Sequence, residues 1–249
     1  MLNIINTEFL KLKRSKMLIL LLLGSLVTPS MMIVDAIKIH YSNPNGIITL
    51  SALFDSNLMY SMLLFGLIVC VLVGTYLFTR EYKENTIKNI IPIPVSKISF
   101  IISKLIMLLI LVMSFMLISW TYTVIFSTLF NIMYGLNNFS IIVMIEYLVQ
   151  MILGGILLFL TITPFFFIGI WTKGIIVPTI AATTVAMGNA GLTNESIGAL
   201  FPWTASFLLI NGRLSETGYS ELLVISIIGF ISIFGFIASI LYFQKEDID

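Results

Sequence analysis

ISFIISKLIMLLILVMSFMLISWTYTVIF, residues 98–126, decides the fold. It carries a single charge, Lys104, near its start. A helix needs about 20 mostly apolar residues to cross the hydrocarbon of a bilayer, and this run exceeds that, so it tilts or extends past the membrane. Five further apolar runs flank it, at 17–34, 58–79, 139–170, 175–192 and 222–243. The fourth of the six contains Gly154, Gly155 and Pro164, which predict a bend or a close helix contact. The fifth is the weakest, with Pro178, Gly188 and Asn189 in it, and follows a sharp turn at Thr172-Lys173-Gly174.

Composition agrees with a lipid solvent. The chain is 59% hydrophobic and 10% charged, too little polar residue for the surface of a soluble domain of this size. Every segment between the runs is shorter than a domain, so residues 1–249 read as one transmembrane domain. The basic stretch before the first run resembles a secretory signal, but no small-x-small cleavage site follows it, and an uncleaved first span is expected. The sole cysteine, Cys70, excludes an internal disulfide and a cysteine metal cluster.

Lys and Arg set the orientation. With six spans both ends share one side, and that side holds Lys11, Lys13, Arg14, Lys16, Arg80, Lys83, Lys88, Lys97, Lys104, Lys173 and Lys245. The other holds Lys38 and Arg213, with Asp35, Asp55, Glu195, Glu216 and Glu221. The positive-inside rule therefore places both termini in the cytoplasm.

Two cytoplasmic segments stand out. In residues 1–16, Leu2, Ile5, Phe9 and Leu12 recur at helical spacing, which predicts an amphipathic helix lying in the membrane interface. Residues 80–97, REYKENTIKNIIPIPVSK, combine a Glu84/Lys88 i,i+4 pair with one face of Tyr82, Thr86 and Ile90 and with Ile87 and Ile91 beside it, followed by the breakers Pro92 and Pro94. They predict a short helix at the membrane surface that returns through a stiff exit.

The 80–97 stretch resembles the coupling region of ABC-2-type transporter permeases: Glu81 and Glu84, then Asn85-Thr86, then Pro94-Val95-Ser96-Lys97. Asn85 stands where that family usually has glycine and Lys97 where it has arginine. Residues 7–16, TEFLKLKRSK, are similar to the opening of lantibiotic-immunity and bacitracin-efflux permeases. The resemblance implies an all-α, type V exporter-like half-transporter of six transmembrane helices in the bacterial cytoplasmic membrane. It implies partners as well: an ABC ATPase in two copies, which binds the ATP and magnesium, and a second permease, a heterodimer being favoured. The coupling residues it assigns are Arg80, Glu81, Tyr82, Lys83, Glu84, Thr86 and Lys88. The sequence agrees on one point independently, since no G-x-x-x-x-G-K-[ST] loop is present.

On the outer side, 193–220 contains Phe201-Pro202-Trp203 and an apolar run, 205–210, too short to cross, which predicts re-entrant or interfacial helices. Trp203 reads first as an interface aromatic. An aromatic and acidic mouth of Trp203, Glu195 and Glu216 suits a cationic, amphipathic peptide. Glu146 in the fourth run is costly there, and two readings stand: a cavity-lining acid, or a residue that reaches the headgroups. His40 is given no role. Catalytic, cofactor-binding and metal residues are not expected, because the signatures of intramembrane hydrolases are missing, and nucleic acid is not an expected partner. The function this implies is export of antimicrobial peptides such as lantibiotics. Export of a lipid-linked or other amphipathic substrate, and ATP-independent sequestration of peptide, are the alternatives.

Overall fold

A computed structural model describes residues 2–13, 15–42, 47–83 and 97–245. The apolar runs become helices because a backbone in lipid must satisfy its N–H and C=O groups internally. In chain order they are α1 (Leu2–Lys13), α2 (Met17–Ser42), α3 (Leu50–Met59), α4 (Phe65–Lys83), α5 (Lys97–Tyr134), α6 (Ile141–Thr161), α7 (Thr163–Thr172), α8 (Ile176–Leu192), α9 (Pro202–Asn211) and α10 (Glu221–Lys245). Five stretches are long and apolar enough to cross a membrane: α2, α3–α4, α5, α6–α7 and α10. The shorter apolar helix α8 makes the sixth segment. Among the described residues the only β pairing is an isolated bridge between Thr49 and Asn137, which ties two loops at the acidic end.

The α3–α4 stretch is the axis of the bundle. In its apolar 18-residue span 67% of the residues are buried, against 33% in that of α2 and 28% in that of α10, so α2 and α10 present most of their apolar surface outward. Leu58, Leu63, Leu67 and Val71 are buried in the core, and Phe78 stacks on Phe166 of α7 at 5.4 Å. The helix extends beyond the apolar run 58–79, because Asp55 and Asn57 find partners inside the bundle rather than ending it.

Two of the crossings are interrupted. Between α3 and α4 the residues Tyr60–Leu64 widen into a π-turn. Gly66 permits it, since a Cβ there would lie 1.8 Å from the Ser61 carbonyl oxygen. The fourth run is two helices rather than one, broken at Ile162. Pro164 has no N–H for the Leu160 carbonyl, and the Thr163 hydroxyl donates to that carbonyl instead at 2.9 Å. The 193–220 segment holds α9, most of whose residues are buried. This helix lies within the bundle, against α6, α10 and the π-turn.

Candidate functional site

The last turns of α4 bring Leu77, Arg80, Glu81 and Tyr82 beside α1 and the first turns of α5. Lys104 of α5 is 1% exposed, and Glu8 of α1 and Glu81 are each 2% exposed. The Lys104 ammonium lies 2.6 Å from Glu81 Oε2 and 3.5 Å from Glu8 Oε2, and also donates to the Leu77 carbonyl. Lys11 closes the ring, 2.7 Å from Glu8 Oε1 and 3.2 Å from Glu81 Oε1. Each carboxylate thus bridges both ammonium groups, and the quartet is formally neutral. That closure is what allows burial, since an unpaired charge in such a setting costs several kcal/mol. The Phe100 ring lies 4.9 Å from the Lys104 nitrogen and adds a cation–π contact. Arg80 fastens the same corner by donating to the Lys11 carbonyl at 2.9 Å. Burial alone lowers the Lys11 pKa, but the hydrogen bond and charge of Glu8, with the charge of Glu81, outweigh it and raise the pKa above the ordinary lysine value.

This geometry changes how α1 is held. The face it buries includes Glu8 and Leu12, while Phe9 and Leu10 are exposed. The helix is clamped to α4 and α5 by charge-assisted contacts as well as by apolar contact. Residues 84–96 leave from α4 and return into α5, so the quartet stands at the root of that segment. Lys173, held in the left-handed conformation (φ 49°) at the end of α7, places its ammonium 5.4 Å from the centre of the Tyr82 ring.

A second polar layer crosses the interrupted helices. The Asn189 amide donates to the Leu63 carbonyl of the π-turn at 2.9 Å and accepts from the Thr204 hydroxyl at 3.1 Å. Trp203 donates its indole N–H to the Thr161 carbonyl at 3.1 Å, which the break at Ile162 has released: the Phe165 N–H bonds Ile162 instead. Nearer the acidic end, Thr28, Asn57, Ser61 and Ser119, all fully buried, form one hydrogen-bonded knot. Asp55 accepts from Tyr147 and from Asn211 at 2.8 Å each, and Tyr60 donates to Asp35. Between α2 and α5 at this end lies an apolar groove of about 330 Å³, lined among others by Ile33, Ile37, Phe126, Phe130 and Tyr134.

The residues singled out in the sequence fall in three places. Arg80, Glu81 and Tyr82 lie at the quartet, with Glu81 inside it rather than on a docking surface. Lys83 ends α4, and Glu84, Thr86 and Lys88 lie outside the described residues. Glu195 is exposed, and Glu216 pairs with Arg213 at 3.3 Å, which also reaches Asn194 next to Glu195. Trp203 sits apart from them, half-buried against Phe165 and Phe201, and its partner is a broken helix rather than a headgroup. Glu146 is exposed on α6, one residue from the Tyr147–Asp55 pair. Sequence reasoning missed Glu8 and Lys104. The available signal was the lone Lys104 in an apolar run, which requires a carboxylate from elsewhere.

The site's chemistry is mechanical and electrostatic. Among the described residues no cluster of three or more His, Cys, Asp or Glu is placed to hold a metal ion. Residues 4–189 match the family described as ABC-2 family transporter protein. The chain belongs to the ABC-2 transporter family. The permease is also 35% identical over 205 residues to the bacitracin transport permease protein BCRB of Bacillus licheniformis, a match covering 82% of this chain and 96% of that protein. No solved structure matches it significantly. It is a multi-pass membrane protein and the membrane component of its transporter. This family generally works with an ABC ATPase partner.

Proposed function

We propose that the permease is the membrane half of an ABC exporter that removes antimicrobial peptides from the outer leaflet, with its basic end and both termini in the cytoplasm. The supporting observation is the buried Glu8–Lys11–Glu81–Lys104 quartet at the root of residues 80–97, which joins the proposed docking segment to three helices at once. Two copies of an ATPase bind ATP and magnesium and press on 80–97. Displacement of α4 then carries α1 and α5 with it, and α7 through Tyr82 and Lys173. The motion reaches the acidic end along α3–α4 and α5, whose π-turn and buried hydroxyl knot offer hydrogen bonds that can be exchanged rather than broken.

The relative named for bacitracin transport supports a peptide antibiotic as the cargo. The apolar groove between α2 and α5 takes the peptide's apolar body, and the exposed acids Glu146, Glu195 and Glu216 attract its positive charge. The second permease of the transporter is a different chain. The permease itself catalyses no reaction.

Extraction of the tagged permease from its native membrane in mild detergent, followed by mass spectrometry of co-purifying chains, tests this assembly. An ATPase together with a second six-span protein is expected. Recovery without any ATPase, under conditions that preserve other membrane complexes, would overturn it in favour of sequestration.

A further inference from the structure

At the basic end a second cavity opens sideways between α7 and α10. It has a volume of about 570 Å³ and is lined by Phe167, Phe234, Ala238, Leu241, Tyr242 and Lys245. Its origin lies in the crossing of the two helices. They touch at Gly235, where a Cβ would stand 2.5 Å from Thr163 Oγ1 and 2.7 Å from the Pro164 nitrogen, and the Thr163 hydroxyl bonds the Ser232 carbonyl at 3.3 Å. From that contact both helices run toward the basic end, and large side chains frame the space that opens between them.

The chemistry of the lining changes along the slot. Its deep part is hydrocarbon and aromatic. Its rim, at the last turn of α10, carries the Tyr242 hydroxyl and the Lys245 ammonium, three residues apart and so on one face. Trp171, four residues after Phe167 and so on the same face of α7, is 60% exposed. Among the described residues the Tyr242 hydroxyl, the Lys245 ammonium and the Trp171 indole have no hydrogen-bond or ion-pair partner. An apolar slot with one free cation and free donors at its mouth, at the basic end of a membrane bundle, complements an acyl chain ending in a phosphate. Basic pockets between transmembrane helices on the cytoplasmic side hold phospholipid headgroups in this way, and interfacial Trp and Tyr sit at headgroup level.

We infer that the slot between α7 and α10 is a binding site for one glycerophospholipid, with an acyl chain along Phe167, Phe234 and Ala238 and the phosphodiester on Lys245, Tyr242 and Trp171. The inference takes from the proposed orientation only which leaflet supplies the lipid, and it holds whatever the exporter's cargo.

The test is native mass spectrometry of the full-length permease in mild detergent, titrated with phosphatidylglycerol. Wild type is expected to retain one lipid per chain. Lys245→Ala weakens binding about fivefold, the equivalent of roughly 1 kcal/mol for one cation near a membrane surface. Ala238→Phe, which fills the slot, abolishes the retained lipid while leaving the elution profile and helical content unchanged. No retained lipid in wild type, or equal retention by both variants, overturns the assignment. Resistance to peptide plays no part in this readout, so failure here leaves the exporter reading intact, and failure there leaves this one.

Discussion

Replacing Lys104 by Met keeps the length of the side chain and removes its ammonium. Glu8 and Glu81 then face one another inside the protein with only Lys11 between them, and Lys11 is about one-third exposed where Lys104 is 1% exposed. Removing one partner of a buried ion pair costs about 3–5 kcal/mol, because the other charge is left uncompensated. For a chain of this size each kcal/mol moves the melting temperature by roughly 2–4 °C, so the expected loss is on the order of 10 °C in thermal unfolding in detergent. The same reasoning makes a sharper demand on a second substitution. Lys104→Met with Glu81→Gln removes the surplus negative charge, and hydrogen-bonding groups of similar shape remain, so more than half of the loss should return. A Lys104→Met protein as stable as wild type, or a double variant no better than the single one, would show that the quartet does not hold α1, α4 and α5 together.

Other substitutions test the interrupted helices and the charge of Lys11. Asn189→Ala strips the Leu63 carbonyl and the Thr204 hydroxyl of a buried partner and should cost about 1–3 kcal/mol per orphaned group, measured by thermal unfolding. Trp203→Phe keeps the ring packing but leaves the Thr161 carbonyl unpaired, for about 1–3 kcal/mol on the same scale. Gly235→Leu forces α7 and α10 apart where a Cβ already meets backbone, costing about 1–3 kcal/mol or more. Because the folded-state pKa of Lys11 is raised, its contribution to stability is complete below the unfolded lysine value of about 10.4 and is lost as pH rises through the folded value. Lys11→Met should therefore flatten the alkaline limb of a stability–pH profile.

The apolar runs made the bundle legible, because a long apolar stretch without charges has few alternatives to a transmembrane helix. Pro164 marked the break in the fourth run for a local reason, the missing N–H. The quartet was not legible in the same way: Glu8 and Lys104, and Glu81 and Lys104, are distant in sequence, and only the packing of α1 and α4 against α5 brings them together. Reading Leu2, Ile5, Phe9 and Leu12 as one lipid-facing stripe missed the burial of Glu8, since a charge paid for by two ammonium groups overrides the apolar moment of a short helix. Trp203 was misleading for a related reason. Aromatics gather at interfaces, but the carbonyl that Trp203 bonds exists only because a different helix is broken. Glu216 reaches Asn194, the chain neighbour of Glu195, through Arg213, whereas Glu146 and Trp203 stand elsewhere, so composition alone did not define one mouth.

The most direct test of the exporter account is growth of a susceptible bacterium in bacitracin, expressing the permease with its ATPase either intact or with its phosphate-binding lysine replaced. Protection that requires both the permease and the intact ATPase is the predicted result. Protection that persists with the inactive ATPase would contradict export and identify a protein that holds the peptide without moving it.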